Sequence, residues 1–102
     1  MARLVKLVFG GGYGERDEFE TPLRGYRSDV LAELDDGFLY RVTFYDLVRL
    51  TQTIEDDARS GTLYFTEPGL IIVPKVDREH MERAAAELAG TGFFVTLRPV
   101  NQ

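Results

Sequence analysis

The sequence predicts an α+β fold in which a single, mainly antiparallel sheet carries two helices on one face. From Phe38 to Phe44 apolar side chains recur at every second residue, whereas from Leu47 they recur at helical spacing. A strand is therefore expected to pass directly into a helix at Asp46. With 102 residues and 44% hydrophobic content, the chain is long enough to bury its own core as one domain over residues 1–102.

Three strands are expected in the first half of the chain. Residues 1–9 combine a basic start with an apolar run; they predict the first strand and are too short for a signal peptide or a membrane span. The segment Tyr26–Leu34 alternates between apolar and polar residues and predicts the second strand. Asp35-Asp36-Gly37 predicts a tight hairpin, because glycine accepts the positive φ that such turns need. The third strand, residues 38–45, then pairs back antiparallel.

The first helix and a second hairpin are expected to follow. Asp46 can cap a helix over residues 47–60 by accepting a backbone N–H. Residues 63–65 and 70–73 are short apolar segments that predict two further strands. The Glu67-Pro68-Gly69 sequence between them is typical of a type II turn, since proline presets one dihedral and glycine supplies the other.

The second helix and the last strand complete the prediction. Asp77 is expected to cap the helix, Gly90 to end it, and residues 93–98 to form the strand. The predicted order is βββαββαβ, and its last six elements have the order of a ferredoxin-like split βαβ unit. The hairpin at Asp35-Asp36-Gly37 conflicts with that fold, because it places the second strand beside the first core strand. The third-strand residues expected to face away from both helices are Leu39, Arg41, Thr43 and Tyr45.

The segment over residues 10–24 has no sustained period and predicts a long loop, of a length that is often functional. Four acids and one base within residues 10–23 contribute −3 of the net charge of −5. The acids are Glu15, Asp17, Glu18 and Glu20, and the base is Arg16. The glycine run at the start of this segment does not predict a phosphate site, because no Lys-Ser or Lys-Thr pair follows it and no helix is expected there.

Charge and composition restrict the partners. A net charge of −5 repels nucleic-acid phosphates and anionic lipids, so we expect a basic protein partner, no nucleic acid and no membrane. Tyrosines interleaved with arginines resemble an RNA-stacking sheet surface, but the characteristic aromatic and glycine motifs of that module are absent. We instead interpret Tyr13, Arg41 and Tyr45 as residues that contact a protein partner. The absence of cysteine excludes thiolate catalysis and disulfides, and it agrees with a cytoplasmic protein.

His80 is the candidate for acid-base chemistry. It falls in the first turn of the second predicted helix, where the helix dipole disfavours imidazolium. Asp77, three residues earlier, is better suited to capping than to positioning a catalytic histidine. Glu55-Asp56-Asp57 cannot chelate a cation alone, because neighbouring helical side chains point in different directions. We therefore expect no catalytic residue, no metal and no cofactor.

Three functions from different classes follow. The leading hypothesis is a noncatalytic binding protein, comparable to inhibitors and immunity proteins in charge and size alone, whose acidic segment and exposed sheet face engage a protein partner. A second is a small enzyme or a ligand- or metal-binding domain that uses His80 and the loop carboxylates. A third is a self-associating domain, a homodimer that pairs through a sheet edge or through the strand face bearing Leu39 and Tyr45.

Overall fold

Four strands form one mixed sheet whose spatial order follows the order of the strands in the chain. The computed structural model describes residues 2–102; Met1, which the predicted first strand included, lies outside the described residues. The elements are β1 Leu4–Phe9, α1 Glu15–Arg24, β2 Tyr26–Leu34, β3 Leu39–Tyr45, α2 Leu47–Arg59, β4 Leu70–Ile72, α3 Arg78–Ala89 and a short 3-10 helix, Phe93–Thr96.

Strand pairing confirms the predicted hairpin and changes the second half of the sheet. β1 pairs antiparallel with β2, and β2 pairs antiparallel with β3 across the turn at Gly37, whose φ is +88°. β3 and β4 are parallel neighbours, with Thr43 opposite Leu70 and Tyr45 opposite Ile72. Parallel neighbours need a crossover connection, and α2 supplies it. The mainly antiparallel α+β class is therefore confirmed.

The main core lies between one face of the sheet and α3. Alternate strand residues, among them Leu7, Val30, Val42 and Phe44, point to this face and are buried. α3 presents its small apolar stripe to them, and Phe94 of the 3-10 helix closes the cluster beside Tyr40. The helical residues of this core are Met81, Ala85 and Ala89.

The opposite face of the sheet is partly covered by α2. Asp46 caps this helix as predicted, its side chain accepting the Arg49 backbone N–H at 2.7 Å. Thr43 and Tyr45 are buried on this face, and Tyr45 lies against Thr53 of α2. The prediction that both helices share one face is therefore wrong, as is the prediction that Thr43 and Tyr45 face away from all helices. The cause is the crossover between β3 and β4, which carries α2 over the face opposite α3.

Three predicted elements differ in the structure, so the observed element order is not βββαββαβ. α1 occupies part of the segment predicted to be a loop. Residues 63–65 form no strand. They follow the end of α2 with two exposed side chains, and Phe65 alone among them packs, on Tyr45. Residues 93–98 begin as a 3-10 helix after Gly92, whose φ of +85° redirects the chain. Because no strand lies between β3 and β4, the sheet contains no split βαβ unit, and the ferredoxin-like comparison is not confirmed.

The helices are short relative to a bilayer. Within residues 2–102, no helix combines the length and the apolar character that crossing a membrane requires.

Candidate functional site

Arg27 organises the segment that precedes and begins α1. Its side chain is almost completely buried, and its guanidinium donates hydrogen bonds to both Asp17 (3.1 Å) and Asp29. The same group donates to the carbonyl oxygens of Gly10 (3.0 Å) and Gly12 (3.1 Å). A planar guanidinium with five N–H donors suits such a site, because it satisfies carboxylates and carbonyls at once. The glycine segment is thus tied to β2 rather than free.

Aromatic rings enclose the Arg27 cluster. The Arg27 guanidinium lies 5.3 Å from the centre of the Phe9 ring and 5.6 Å from that of Tyr13, within the range of cation–π attraction. Arg78 at the start of α3 approaches the Tyr13 ring as well, at 5.6 Å. Burial raises the pKa of Tyr13, and its hydroxyl makes no hydrogen bond of good geometry within residues 2–102, although Thr21 lies beside it. Tyr13 therefore serves mainly as packing for this cluster.

α1 begins at Glu15 because Asp17 satisfies the amide before it. The Asp17 carboxylate accepts the Gly14 backbone N–H at 2.9 Å. The acidic side chains of the first turn also stabilise the helix, because they lie at the positive end of its dipole. This backbone hydrogen bond and the Arg27 charge hold the pKa of Asp17 below its ordinary value. Gly25 ends the helix in the left-handed conformation, at a φ of +73°. The predicted absence of a helix after the glycine run is therefore wrong.

The outward stripe of α1 combines carboxylates with large apolar side chains in water. Glu15, Glu18, Phe19 and Leu23 lie at the i, i+3, i+4 and i+8 positions and are all exposed. Phe19 is 73% exposed and Leu23 74%, in a protein whose core contains other phenylalanines and leucines. We call these four residues the α1 surface.

The acids of α1 divide into two groups. Asp17 is held by Arg27, and Glu20 pairs with Arg16 at 2.9 Å and Arg24 at 3.0 Å. Glu15 and Glu18 carry no such ion pair among the described residues. Only the second group presents uncompensated negative charge to an approaching partner.

The remaining predicted contact residues lie elsewhere. Arg41 is exposed on the sheet face opposite α3, where Lys6 and Val8 of β1 are exposed as well. Tyr45 is buried at one end of that face, stacked on Tyr26, and burial raises its pKa. The structure thus brings Tyr13 to the base of α1 and separates Arg41 and Tyr45 from it.

His80 and Asp77 form a local pair at the start of α3. Asp77 accepts the His80 backbone N–H at 2.8 Å, and its carboxylate lies 2.7 Å from Nδ1 of the imidazole. Partial burial would raise the pKa of Asp77, but these hydrogen bonds and the His80 charge outweigh burial and lower it. The predicted capping role of Asp77 is confirmed.

A surface cleft of about 540 Å³ separates α1 from α3. Glu18 and Pro22 line it from α1, and side chains of both signs line it from the other side. These are Lys75, Asp77, Arg78, Glu79, Glu82 and Arg83. The mixed charges give the cleft no preference for an anion or a cation. Across residues 2–102, no three His, Asp or Glu side chains converge in a way that would hold a metal ion.

Comparison of the chain with protein-family models, with curated proteins and with solved structures finds no significant match. The function must therefore be argued from the arrangement of its own residues.

Sequence reasoning did not single out Phe19, Leu23 or Arg27. Phe19 and Leu23 were embedded in an acidic segment interpreted as a loop, and their i, i+4 spacing was the available signal. Arg27 occupies an alternating strand position, where an arginine ordinarily indicates the wet face. Its burial depends on Asp17 and the glycine carbonyls, which only the fold brings to it.

Proposed function

We propose that the protein is a noncatalytic protein-binding domain whose α1 surface docks onto a basic partner. The observation that carries this proposal is the exposure of Phe19 and Leu23, one helical turn apart, on the same helical stripe as the unpaired carboxylates of Glu15 and Glu18. Single exposed apolar residues are ordinary, but two large ones aligned on one helix form an anchor of the kind that fills pockets in protein interfaces.

Electrostatics favours a basic partner over other classes. Glu15 and Glu18 precede the apolar pair on the helix and form no ion pair among the described residues, and the whole molecule carries a net charge of −5. Such a field raises the association rate with a positive surface and disfavours nucleic acid. The absence of cysteine supports action in the reducing cytoplasm.

The supporting framework is preorganised. Asp17 and Arg27 fix the start of α1, and Gly25 fixes its end. A surface held in this way loses little conformational entropy on docking, which favours affinity.

The experiment starts from affinity capture with the intact protein, followed by binding measurements with each purified candidate partner. We expect Phe19→Ala/Leu23→Ala to weaken binding at least about tenfold, because truncated anchor residues typically cost over ~1.4 kcal/mol each. Val95→Ala, at an exposed apolar residue of the 3-10 helix, is the matched control and should bind normally. Equal affinity of all three proteins would refute the proposal.

Charge reversal separates steering from anchoring. Glu15→Lys/Glu18→Lys should slow association at low salt and leave the dissociation rate nearly unchanged. Asp17 and Glu20 are left intact because they hold the helix internally. An association rate that does not respond to the reversal would exclude α1 as the steering element.

An enzyme using His80 is a second proposal with narrower support. The His80–Asp77 contact is its only geometric basis. His80 does not line the cleft between α1 and α3, so the imidazole and the α1 carboxylates do not share one cavity there. A ligand-dependent rise in melting temperature that His80→Ala abolishes would support this function instead.

A further inference from the structure

α2 is an amphipathic helix that the fold leaves largely uncovered. Among its 13 residues, all of them described, only Leu50 is buried. Leu47 is 67% exposed and Ile54 46%. Thr51 and Ala58 are exposed as well, so an uncharged stripe follows the 4-3-4 spacing that helix pairs use. We call Leu47, Thr51, Ile54 and Ala58 the α2 seam.

The chain after α2 extends this apolar area. Leu63 is 94% exposed and Tyr64 is also exposed, although Phe65 next to them packs on Tyr45. Thr62 donates its backbone N–H to the Asp57 carbonyl oxygen at 2.9 Å, which holds this segment at the end of the helix. Two large apolar side chains therefore follow the end of α2 directly and are in contact with water.

Charge along α2 is unevenly distributed. The first turn contains no acid, and Arg49 is the one charged residue of residues 47–54. Glu55, Asp56 and Asp57 follow, with Arg59 bonded to Asp56 at 2.6 Å. The helix dipole adds to this difference, because its positive end is the amino terminus. With the capping carboxylate of Asp46 included, the first half of the helix is neutral overall, whereas the second half has a net negative charge.

We propose that two copies of this chain associate through the α2 seam, with the two helices antiparallel about a two-fold axis. A two-fold interface brings the same surface of both copies together, so that surface must be complementary to itself. Antiparallel pairing places the neutral half of each α2, which carries Arg49, against the acidic half of the other, whereas parallel pairing would bring the two acidic halves together. The uncharged seam also lets two molecules of net charge −5 meet where repulsion is weakest.

The size of this surface sets the strength of the dimer. A helix of 13 residues is about 20 Å long. One face of a helix of this length buries less area than the ~800 Å² per partner of a standard protein interface. In the antiparallel arrangement Leu63 and Tyr64 of each copy extend the contact toward Leu47 of the other. We therefore expect a reversible dimer that forms at micromolar or higher concentration rather than an obligate one.

Sedimentation of the full chain over a wide concentration range tests the association. Leu47→Glu/Ile54→Glu should weaken dimerisation at least about tenfold, since each copy then places two carboxylates in the seam. Val95→Glu, at a still more exposed apolar residue on the 3-10 helix, should dimerise normally. Circular dichroism should show both variants folded. A wild-type chain that stays monomeric at millimolar concentration would overturn the proposal.

Disulfide trapping tests the orientation, because the chain has no cysteine of its own. Antiparallel pairing brings position 47 of one copy near position 58 of the other, so Leu47→Cys mixed with Ala58→Cys should give a crosslinked heterodimer on oxidation. Either variant alone should crosslink poorly, because like positions lie about 16 Å apart along the helix axis. Preferential crosslinking of like positions would refute the antiparallel arrangement.

Phe19→Ala/Leu23→Ala separates this inference from the proposed function. The dimer of that variant should be unaffected, because α1 contributes nothing to the seam. Loss of dimerisation in that variant would contradict the assignment to α2.

Discussion

Replacing Arg27 by methionine tests whether this buried guanidinium holds α1 in place. Methionine keeps an unbranched, flexible apolar stem but removes the guanidinium, and with it the charge and all of the hydrogen-bond donors. The substitution leaves the Asp17 and Asp29 carboxylates without their cation and the carbonyl oxygens of Gly10 and Gly12 without a donor. The segment before α1 would then lack its main connection to β2.

The magnitude follows from the exposure of the partners. Breaking a buried ion pair typically costs about 3–5 kcal/mol, and a hydrogen bond to a charged group contributes about 1.5–3 kcal/mol. Asp29 is 54% exposed and Asp17 35%, so water replaces much of what the two carboxylates lose. We therefore expect a loss of about 2–4 kcal/mol in the free energy of unfolding, a range centred at the lower end of that for fully buried pairs.

Urea unfolding followed by circular dichroism measures this loss. With a slope of about 2 kcal/mol/M, the midpoint should fall by roughly 1–2 M. Arg24→Met is the matched control, because Arg24 also pairs with a carboxylate of α1, Glu20, but on the surface. An exposed pair contributes about 0–1 kcal/mol, so the control midpoint should move little. Equal shifts for the two variants would show that burial of Arg27 has no special role.

Three further predictions concern the backbone, acid stability and α1. In urea unfolding, Gly69→Ala should lower the free energy of unfolding by at least ~2 kcal/mol more than Gly61→Ala does. Both glycines have positive φ, but only a Cβ at Gly69 would collide with the backbone of β3. Equal losses would contradict this. Because the pKa of Asp17 is lowered in the folded state, its stabilisation is present above its unfolded pKa and is lost as pH falls through the folded pKa. The stability difference between wild type and Asp17→Asn should therefore shrink as the pH is lowered below the ordinary aspartate pKa of about 4, and a constant difference would count against it. Phe19→Ala should change the free energy of unfolding by less than ~0.5 kcal/mol, whereas Phe94→Ala should lower it by about 3–5 kcal/mol. Similar losses would show that Phe19 is part of the core.

Local chemistry made part of the fold predictable from sequence. The change of period at Asp46, the turn at Gly37 and the cap at Asp77 each depend on residues within a few positions of one another. These sequence patterns predict structure well because the residues themselves favour it: a capping carboxylate favours the start of a helix, and a glycine favours the positive φ of a tight turn. The sheet order beyond the hairpin had no such signal, since β4 pairs with β3 only after a crossover.

α1 was missed because its stabilisation is largely not local. Pro22 lies inside the helix and cannot donate a backbone hydrogen bond, and the segment has no buried apolar stripe. Its acidic first turn was a helix signal, but the contact that anchors it comes from Arg27 on β2. The candidate surface was accordingly predictable in charge but not in shape: Glu15 and Glu18 were identified, whereas the apolar anchors were not.

The two proposed surfaces lie on different elements, and this separation has a consequence for binding. α1 packs against β2, and its end meets the start of α2, where the Gly25 carbonyl oxygen accepts the Asp46 backbone N–H. The α1 surface and the α2 seam belong to separate helices, so we expect pairing through the seam to leave both α1 surfaces open. A dimer would then present two acidic docking surfaces, and a partner with two basic sites would bind the second at high effective concentration. Apparent affinity for such a partner should rise with the concentration of this protein, and Leu47→Glu should remove the rise without changing the affinity of a single site. If affinity for a bivalent partner proved independent of protein concentration while dimerisation was intact, the two α1 surfaces could not be reached by one partner together.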